Sequence, residues 1–226
     1  MVTQTIGQST DFSELSSNDQ QIITHAFIYL EYDFYLEAIA HVEVGFLLLL
    51  KKHKAITNIN TCQWFLSKAI NAYALSLSHP KYNSVGTCFG GILHVMKDDT
   101  AFKTMAKDEN TEGGWRKLAT FIEIDQKGSS EALNQKQYEQ IKRWRKGKDI
   151  PSIEARRTFI NRYLKYIGRS GSEMLELCFR ILLMLDKVER ELLATAQDKA
   201  ATKDQIRKVL ARYPVYHRKC LDQELQ

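Results

Sequence analysis

Apolar residues recur at steps of three and four along almost the whole chain. No segment alternates apolar and polar positions long enough to argue for a strand. The pattern predicts an all-α fold. Ser17-Asn18-Asp19-Gln20 reads as a helix start. Over 22–52, Ile22, Ile23, Ala26, Phe27, Leu30, Phe34 and Ala38 keep helical spacing, as one helix or two packed on several sides. A second helical block spans about 61–77 and stops near Pro80. Residues 86–91, rich in glycine, form a loop or a close helix approach. Residues 92–105 are helical with a polar break at Lys97-Asp98-Asp99. Residues 109–114 read as a loop and 115–124 as a helix. A turn over 125–130 follows, with Ser130 able to cap what comes next. Residues 131–146 are helical, either as one helix or as two short ones broken near Gln135. Helices over 152–167 and 173–197 come after it. The second carries Leu177, Ile181, Leu182, Leu185, Val188 and Leu192 on one stripe, and a helix over 202–212 closes the fold before Pro214.

This order divides the chain into an N-terminal helical region (1–114), a basic middle region (115–168) and a C-terminal long helix with its tail (169–226). The last part packs on the core or forms a dimer seam, for which the stripe over 174–193 is the candidate. Composition adds little: 44% hydrophobic residues are enough for a sizeable core, and 3 prolines and 11 glycines leave few helix breaks. The strongest apolar run, 44–50, is far short of the roughly 20 residues of a membrane span. The first fifty residues lack the basic start of a secretory signal. The four cysteines (62, 88, 178, 220) form no CxxC, so they read as buried reduced thiols of a cytoplasmic protein.

Charge changes the picture more. Residues 1–50 hold seven acids and neither Lys nor Arg. Residues 136–169 hold eleven bases against Glu139, Asp149 and Glu154, a net +8 in a chain whose total is +5. A local patch of this kind points to a polyanionic or acidic partner.

The patch centres on IKRWRKGKDIPSIEARR, residues 141–157. Tyr138, Ile141 and Trp144 are spaced three apart and share a core-facing side, which turns Glu139 and Arg143 outward. Lys142, Arg143, Arg145 and Lys146 occupy the last turn, where cations meet the negative helix end. Gly147 can take the left-handed conformation that ends a helix. Pro151 extends Ile150, and Ser152 can cap the next helix, with Phe159, Ile160, Tyr163, Leu164 and Ile167 inward.

Over 143–154, RWRKGKDIPSIE resembles the end of the recognition helix and the following loop of Cro/phage-repressor-type helix-turn-helix domains. Ile141, Trp144, Gly147, Lys148, Pro151 and Ser152 fill that family's pattern. The resemblance covers about 30 residues and aligns the tight inter-helix turn with 135–137. It implies a helix-turn-helix-like unit in the middle of a helical bundle, double-stranded DNA as partner, and a prokaryotic or phage-type transcriptional regulator. Tyr138, Glu139 and Arg143 would contact bases, and Lys142, Arg145, Lys146 and Lys148 would contact phosphates. A homodimer would suit two half-sites.

Other constellations carry less. Glu37 and His41, with Glu43 following, lack a second such pair, so they read as solvated or hydrogen-bonded residues rather than metal ligands. Arg212 and His217 give R-x4-H, a spacing that resembles HEPN-type ribonucleases, but Tyr213 and Pro214 interrupt the helix that family needs. Residues 86–91 lack the Gly-Lys-Ser/Thr of a phosphate-binding loop. No catalytic residue, metal or cofactor is assigned. Two readings stand: a sequence-specific DNA-binding regulator, and a non-enzymatic helical interaction protein whose basic surface meets an acidic partner. A HEPN-like ribonuclease is the third.

Overall fold

The computed structural model of the protein describes residues 16–52, 65–106, 111–124 and 129–224. As the apolar spacing predicts, the described residues form helices and turns without a strand. The helices are α1 (Ser17–Lys52), α2 (Phe65–Ala74), α3 (Cys88–Asp98), α4 (Thr100–Ala106), α5 (Thr111–Ala119), α6 (Ser130–Arg145), α7 (Ile153–Tyr166), α8 (Ser172–Thr195), α9 (Lys199–Leu210) and α10 (Tyr213–Glu224). A 3-10 turn lies at Pro80–Tyr82. One buried cluster, from Ile28 to Leu221, joins residues of 1–114, 115–168 and 169–226. None of the described helices is long and apolar enough to cross a membrane.

The central element is α3, buried along nearly its whole length and packed on α2, α6 and α8. Its glycines set how close the neighbours come. A Cβ at Gly91 would stand 2.2 Å from the carbonyl oxygen of Ala69 in α2, and one at Gly90 would stand 2.2 Å from that of Arg145 in α6. The glycine-rich stretch is thus both things the sequence allows: a loop up to Thr87, then a close helix approach. The start of α3 is fully capped. Thr87 Oγ1 accepts from the Gly90 N–H at 2.9 Å. Asp186 of α8 accepts from the N–H groups of Cys88 (2.7 Å) and Phe89 (3.0 Å). Those are donors that a helix start cannot satisfy internally.

Residues 130–145 form one uninterrupted helix, so the tight turn that the helix-turn-helix resemblance requires at 135–137 is absent. The reason lies in Gln137. Its polar side chain makes the apolar pattern look broken near Gln135, yet it points into the core and donates from Nε2 to the Ile122 carbonyl at 2.6 Å. Leu133, Gln137, Tyr138, Ile141 and Trp144 therefore make one continuous inward side. Trp144 is buried as its spacing predicts, edge-on to Phe89 and Phe159. The N-cap is Ser129, whose Oγ accepts from the Ala132 N–H at 3.3 Å, and Ser130 is the first helical residue. At the other end Gly147 has φ of +69° and Ser152 caps α7, both as expected.

Three further differences have physical causes. The expected loop over 109–114 is helical from Thr111 on, because Trp115 and Leu118 are buried and pull their turn into the core; Glu109 and Asn110 lie outside the described residues, as do 125–128 of the expected turn. Pro214 does not end the chain's last helix but sits in the first turn of α10, where its missing N–H costs nothing. The helix exists because Tyr213, Cys220 and Leu221 are buried. The sequence leaves α1 packed on several sides, whereas the structure buries one of them. Ile28, Tyr32, Leu36, Ile39, Ala40, Val44 and Leu47 are buried, while Ile22, Phe27, Leu30 and Phe34 are exposed. Both sides keep helical spacing, so the pattern alone cannot choose between them.

The close approach at α3 makes a testable contrast. Gly90→Ala forces a Cβ into a backbone carbonyl that cannot swing away, and it is expected to cost about 3 kcal/mol or more, the upper range of overpacking. Gly114→Ala meets only the flexible Lys97 side chain, 3.4 Å from its Cβ, and lies within a helix. There the better helix propensity of alanine is expected to leave stability unchanged or raise it by up to about 1 kcal/mol. Urea midpoints of the two variants check both.

Candidate interaction surface

The structure places the expected DNA-contacting residues on α6 and the turn after it, in three different situations. Tyr138 is buried, with the Arg116 guanidinium 4.4 Å and the Lys142 ammonium 4.3 Å from its ring centre. Glu139 is exposed, 3.0 Å from Lys142 Nζ, and accepts from Gln135 Nε2 at 3.0 Å. Arg143 is exposed but held in a two-pronged pair with Asp149, from Nε at 2.5 Å and from Nη2 at 2.9 Å. That pair closes the turn after α6 and holds the Asp149 carboxyl below its usual range. Tyr138, Glu139 and Arg143 are thus each engaged within the chain.

The phosphate-contact set is divided too. Arg145 lies over the Trp115 ring at 4.5 Å, half-buried, and burial lowers its affinity for its proton. Lys146 and Lys148 are exposed and make no ion pair among the described residues. Among the described residues, Lys142, Arg143, Arg156, Arg162 and Arg169 of this segment pair with carboxylates. Glu123, Glu176 and Asp99 come from outside the segment, and the Arg156–Glu176 pair is buried. What remains is a ridge of mixed sign on α6, with Lys146 and Lys148 at its end and exposed Arg157 and Lys165 on α7.

Sequence reasoning missed the members that α5 contributes. Arg116 shares the Tyr138 ring with Lys142, and Lys117 lies 4.6 Å from the ring centre of Tyr166. Trp115 takes two cations, Lys97 at 5.4 Å and Arg145 at 4.5 Å. These pairings join residues far apart in the chain, so no local spacing announces them. The polar break at Lys97-Asp98-Asp99 also acquires a role. Asp98 is approached by Lys81, Lys97 and Lys103 at 3.1–3.3 Å and by His94 at 3.4 Å. Burial opposes ionisation of Asp98, but Lys97, His94 and Lys103 outweigh it and hold its carboxyl down at about 2. Lys81, His94 and Asp98, with Lys68, Asp99 and Arg169, border a polar cleft of about 500 Å³.

The ribonuclease-like pair does not converge. Arg212 reaches Asp33 at 3.3 Å, whereas His217 faces Glu43 at 3.9 Å. Those carboxylates are ten residues apart on α1, about 15 Å along the axis. Glu37 pairs with Lys219, His41 is exposed, and buried Glu43 accepts from Ser67 and Tyr213, so the three are not gathered. Among the described residues no three His, Cys, Asp or Glu side chains could hold a metal ion together. Cys88, Cys178 and Cys220 are buried; Cys62 lies outside the described residues. The α8 stripe expected as a dimer seam is largely core, with Leu182, Leu185 and Val188 buried.

No known family, curated protein or solved structure matches the chain.

A second polar group inside the protein has a pH signature. Around Asp186 lie Glu189, Tyr73, Lys203 and Cys88. Glu189 accepts from the Tyr73 hydroxyl at 2.6 Å and meets Lys203 at 3.3 Å. Burial pushes the Asp186 carboxyl up, the N–H groups of Phe89 and Cys88 pull it down, and the balance is about 7 against an ordinary 3.8. Ionisation therefore favours the unfolded chain. The contribution of this group is complete below pH 3.8 and is lost as pH rises through about 7. At about 1.4 kcal/mol per pH unit the loss is as much as about 4 kcal/mol. The difference in unfolding free energy between the parent chain and Asp186→Asn, followed from pH 4 to pH 8, should shrink by an amount of that order. A constant difference would contradict it.

Proposed function

We propose that this protein works by binding rather than by catalysis, as a helical interaction protein that offers the ridge of α5, α6 and the α6–α7 turn to an acidic protein partner. The observation that carries the reading is the mixed sign of that ridge. Glu131, Glu139 and Asp149 stand among Lys136, Lys142, Arg143, Lys146 and Lys148 on the outer side of one unbroken helix and its turn. A nucleic-acid duplex presents a single sign of charge, and carboxylates set between the bases would be repelled by it. A protein surface carries both signs and can answer both. The cations stacked on Tyr138 and Trp115 also hold the ridge in place, because each ring fixes two long side chains.

A second reading keeps double-stranded DNA as partner through phosphates alone. It is favoured by the exposed, unbridged Lys146 and Lys148, joined by Arg157 and Lys165 of α7. In that reading Tyr138, Glu139 and Arg143 read no bases, since one is buried and two are engaged.

The two separate in one titration series. The full chain is titrated with an acidic peptide of mixed sign, built of Glu-Glu-Lys repeats, and with a duplex of random sequence, at about 50 mM salt where phosphate contacts are strong. The interaction reading expects the mixed-sign peptide to bind and the triple variant Lys146→Gln, Lys148→Gln, Arg157→Gln to bind it about tenfold more weakly, from roughly 0.5 kcal/mol per exposed charge. It expects duplex affinity weaker than millimolar. Duplex binding whose salt slope becomes shallower by about 2 on losing Lys146 and Lys148 would transfer the function to DNA.

A further inference from the structure

α1 is apolar on two sides, and among the described residues only one of them is buried. Phe27, Leu30 and Phe34 are 61%, 69% and 71% exposed, and Val42 and Leu49 about half. At about 100° per residue, Phe27, Phe34, Ala38 and Gly45 lie within about 20° of one line. Leu30, Val42 and Leu49 flank that line. The stripe runs about 33 Å along the helix, from Phe27 to Leu49. Ala38 is exposed at its middle, and a Cβ placed on Gly45 would meet nothing within 4 Å.

We propose that this side of α1 is the seam of a twofold dimer in which the α1 helices of two copies pack antiparallel about Ala38. Three features select a second copy. The first is size. Five large side chains, each about half exposed or more, offer about 500 Å² per copy, or about 1,000 Å² in the pair, which reaches the area a specific interface needs. The second is shape. Rotation about Ala38 sets Phe34 opposite Val42 and Phe27 opposite Leu49, large against smaller. It sets Gly45, where there is room, opposite the turn that holds Leu30 and Glu31. Ala38 meets its own copy, where a small side chain lets the helices approach. The third is charge. Every charged residue of α1 before Lys51 is acidic: Asp19, Glu31, Asp33, Glu37 and Glu43. Parallel pairing would set Glu31, the acid nearest this side, beside its own copy. Antiparallel pairing moves the two copies of Glu31 about 21 Å apart along the axis and brings Lys51 and Lys52 to the acidic half of the other helix. This surface is separate from the α6 ridge, so the dimer and the proposed partner stand or fall independently.

Sedimentation equilibrium of the full chain is expected to give twice the monomer mass at tens of micromolar. Ala38→Glu sets like charges face to face and should weaken the dimer about 100-fold or more, with unchanged far-ultraviolet circular dichroism because the site is exposed. Ala38→Lys should do the same alone, and the two variants mixed should dimerise again. Orientation is read by cross-linking. Phe34→Cys mixed with Val42→Cys should form a disulfide that neither variant forms alone above the parent protein. A monomer at every concentration, or a dimer indifferent to Ala38→Glu, would overturn the seam. Cross-links within each single variant but not in the mixture would overturn the antiparallel arrangement.

Discussion

The fold depends on how closely the backbone of α3 meets its neighbours. Gly90 and Gly91 let two carbonyl oxygens, one from α6 and one from α2, stand where a Cβ would be. The Arg145 carbonyl that Gly90 admits also accepts the Gly86 N–H at 3.2 Å, so the end of α6 and the entry to α3 are one joint. Asp186 then fixes α8 to the same helix start through two backbone donors. Once α3 is placed, Trp144, Phe159 and Phe179 close around Phe89, and α7 and α8 follow.

This joint answers what the basic end of α6 does. Gly147 turns left-handed because the chain must leave the helix beside Thr87, whose methyl would lie 2.4 Å from a Cβ there. Arg143 clamps Asp149 across that turn, and Arg156 holds the Pro151 carbonyl at 3.2 Å while it pairs with Glu176. Several of the bases that make the segment look like a nucleic-acid surface thus serve to order a turn and tie α7 to α8. A pair held this way is neutralised before any partner arrives, so net charge along a segment overstates the charge that its surface presents.

The same reasoning separates the two sides of α1. The covered side is held by polar ties as well as by apolar contact: Asp33 to Arg212 and Tyr216, Glu37 to Lys219, Glu43 to Ser67 and Tyr213. Its acids are what commit that side to α10 and α2. The other side holds large apolar groups with no such ties, which suits a contact formed between folded molecules rather than within one.

By itself the sequence determined the helical class, the inward side of α6 and α7, the burial of Trp144, the turn at Gly147 and the cap at Ser152. Each follows from residues within a few positions of one another, where spacing and backbone preference act directly. Tertiary structure decided the rest. It kept α6 whole, because the buried amide of Gln137 finds the Ile122 carbonyl fifteen residues away. It chose the Ile28–Leu47 side of α1 over the Phe27–Phe34 side, because α10 and the turn before it supply cations and hydroxyls that meet the first. It made α10 a helix, because Cys220 and Leu221 have a core to enter. It also sorted the basic residues into those paired and those presented. Hydrogen-bond partners and counter-charges far away in the chain leave no trace in local periodicity, so these outcomes become legible only when the distant segments meet.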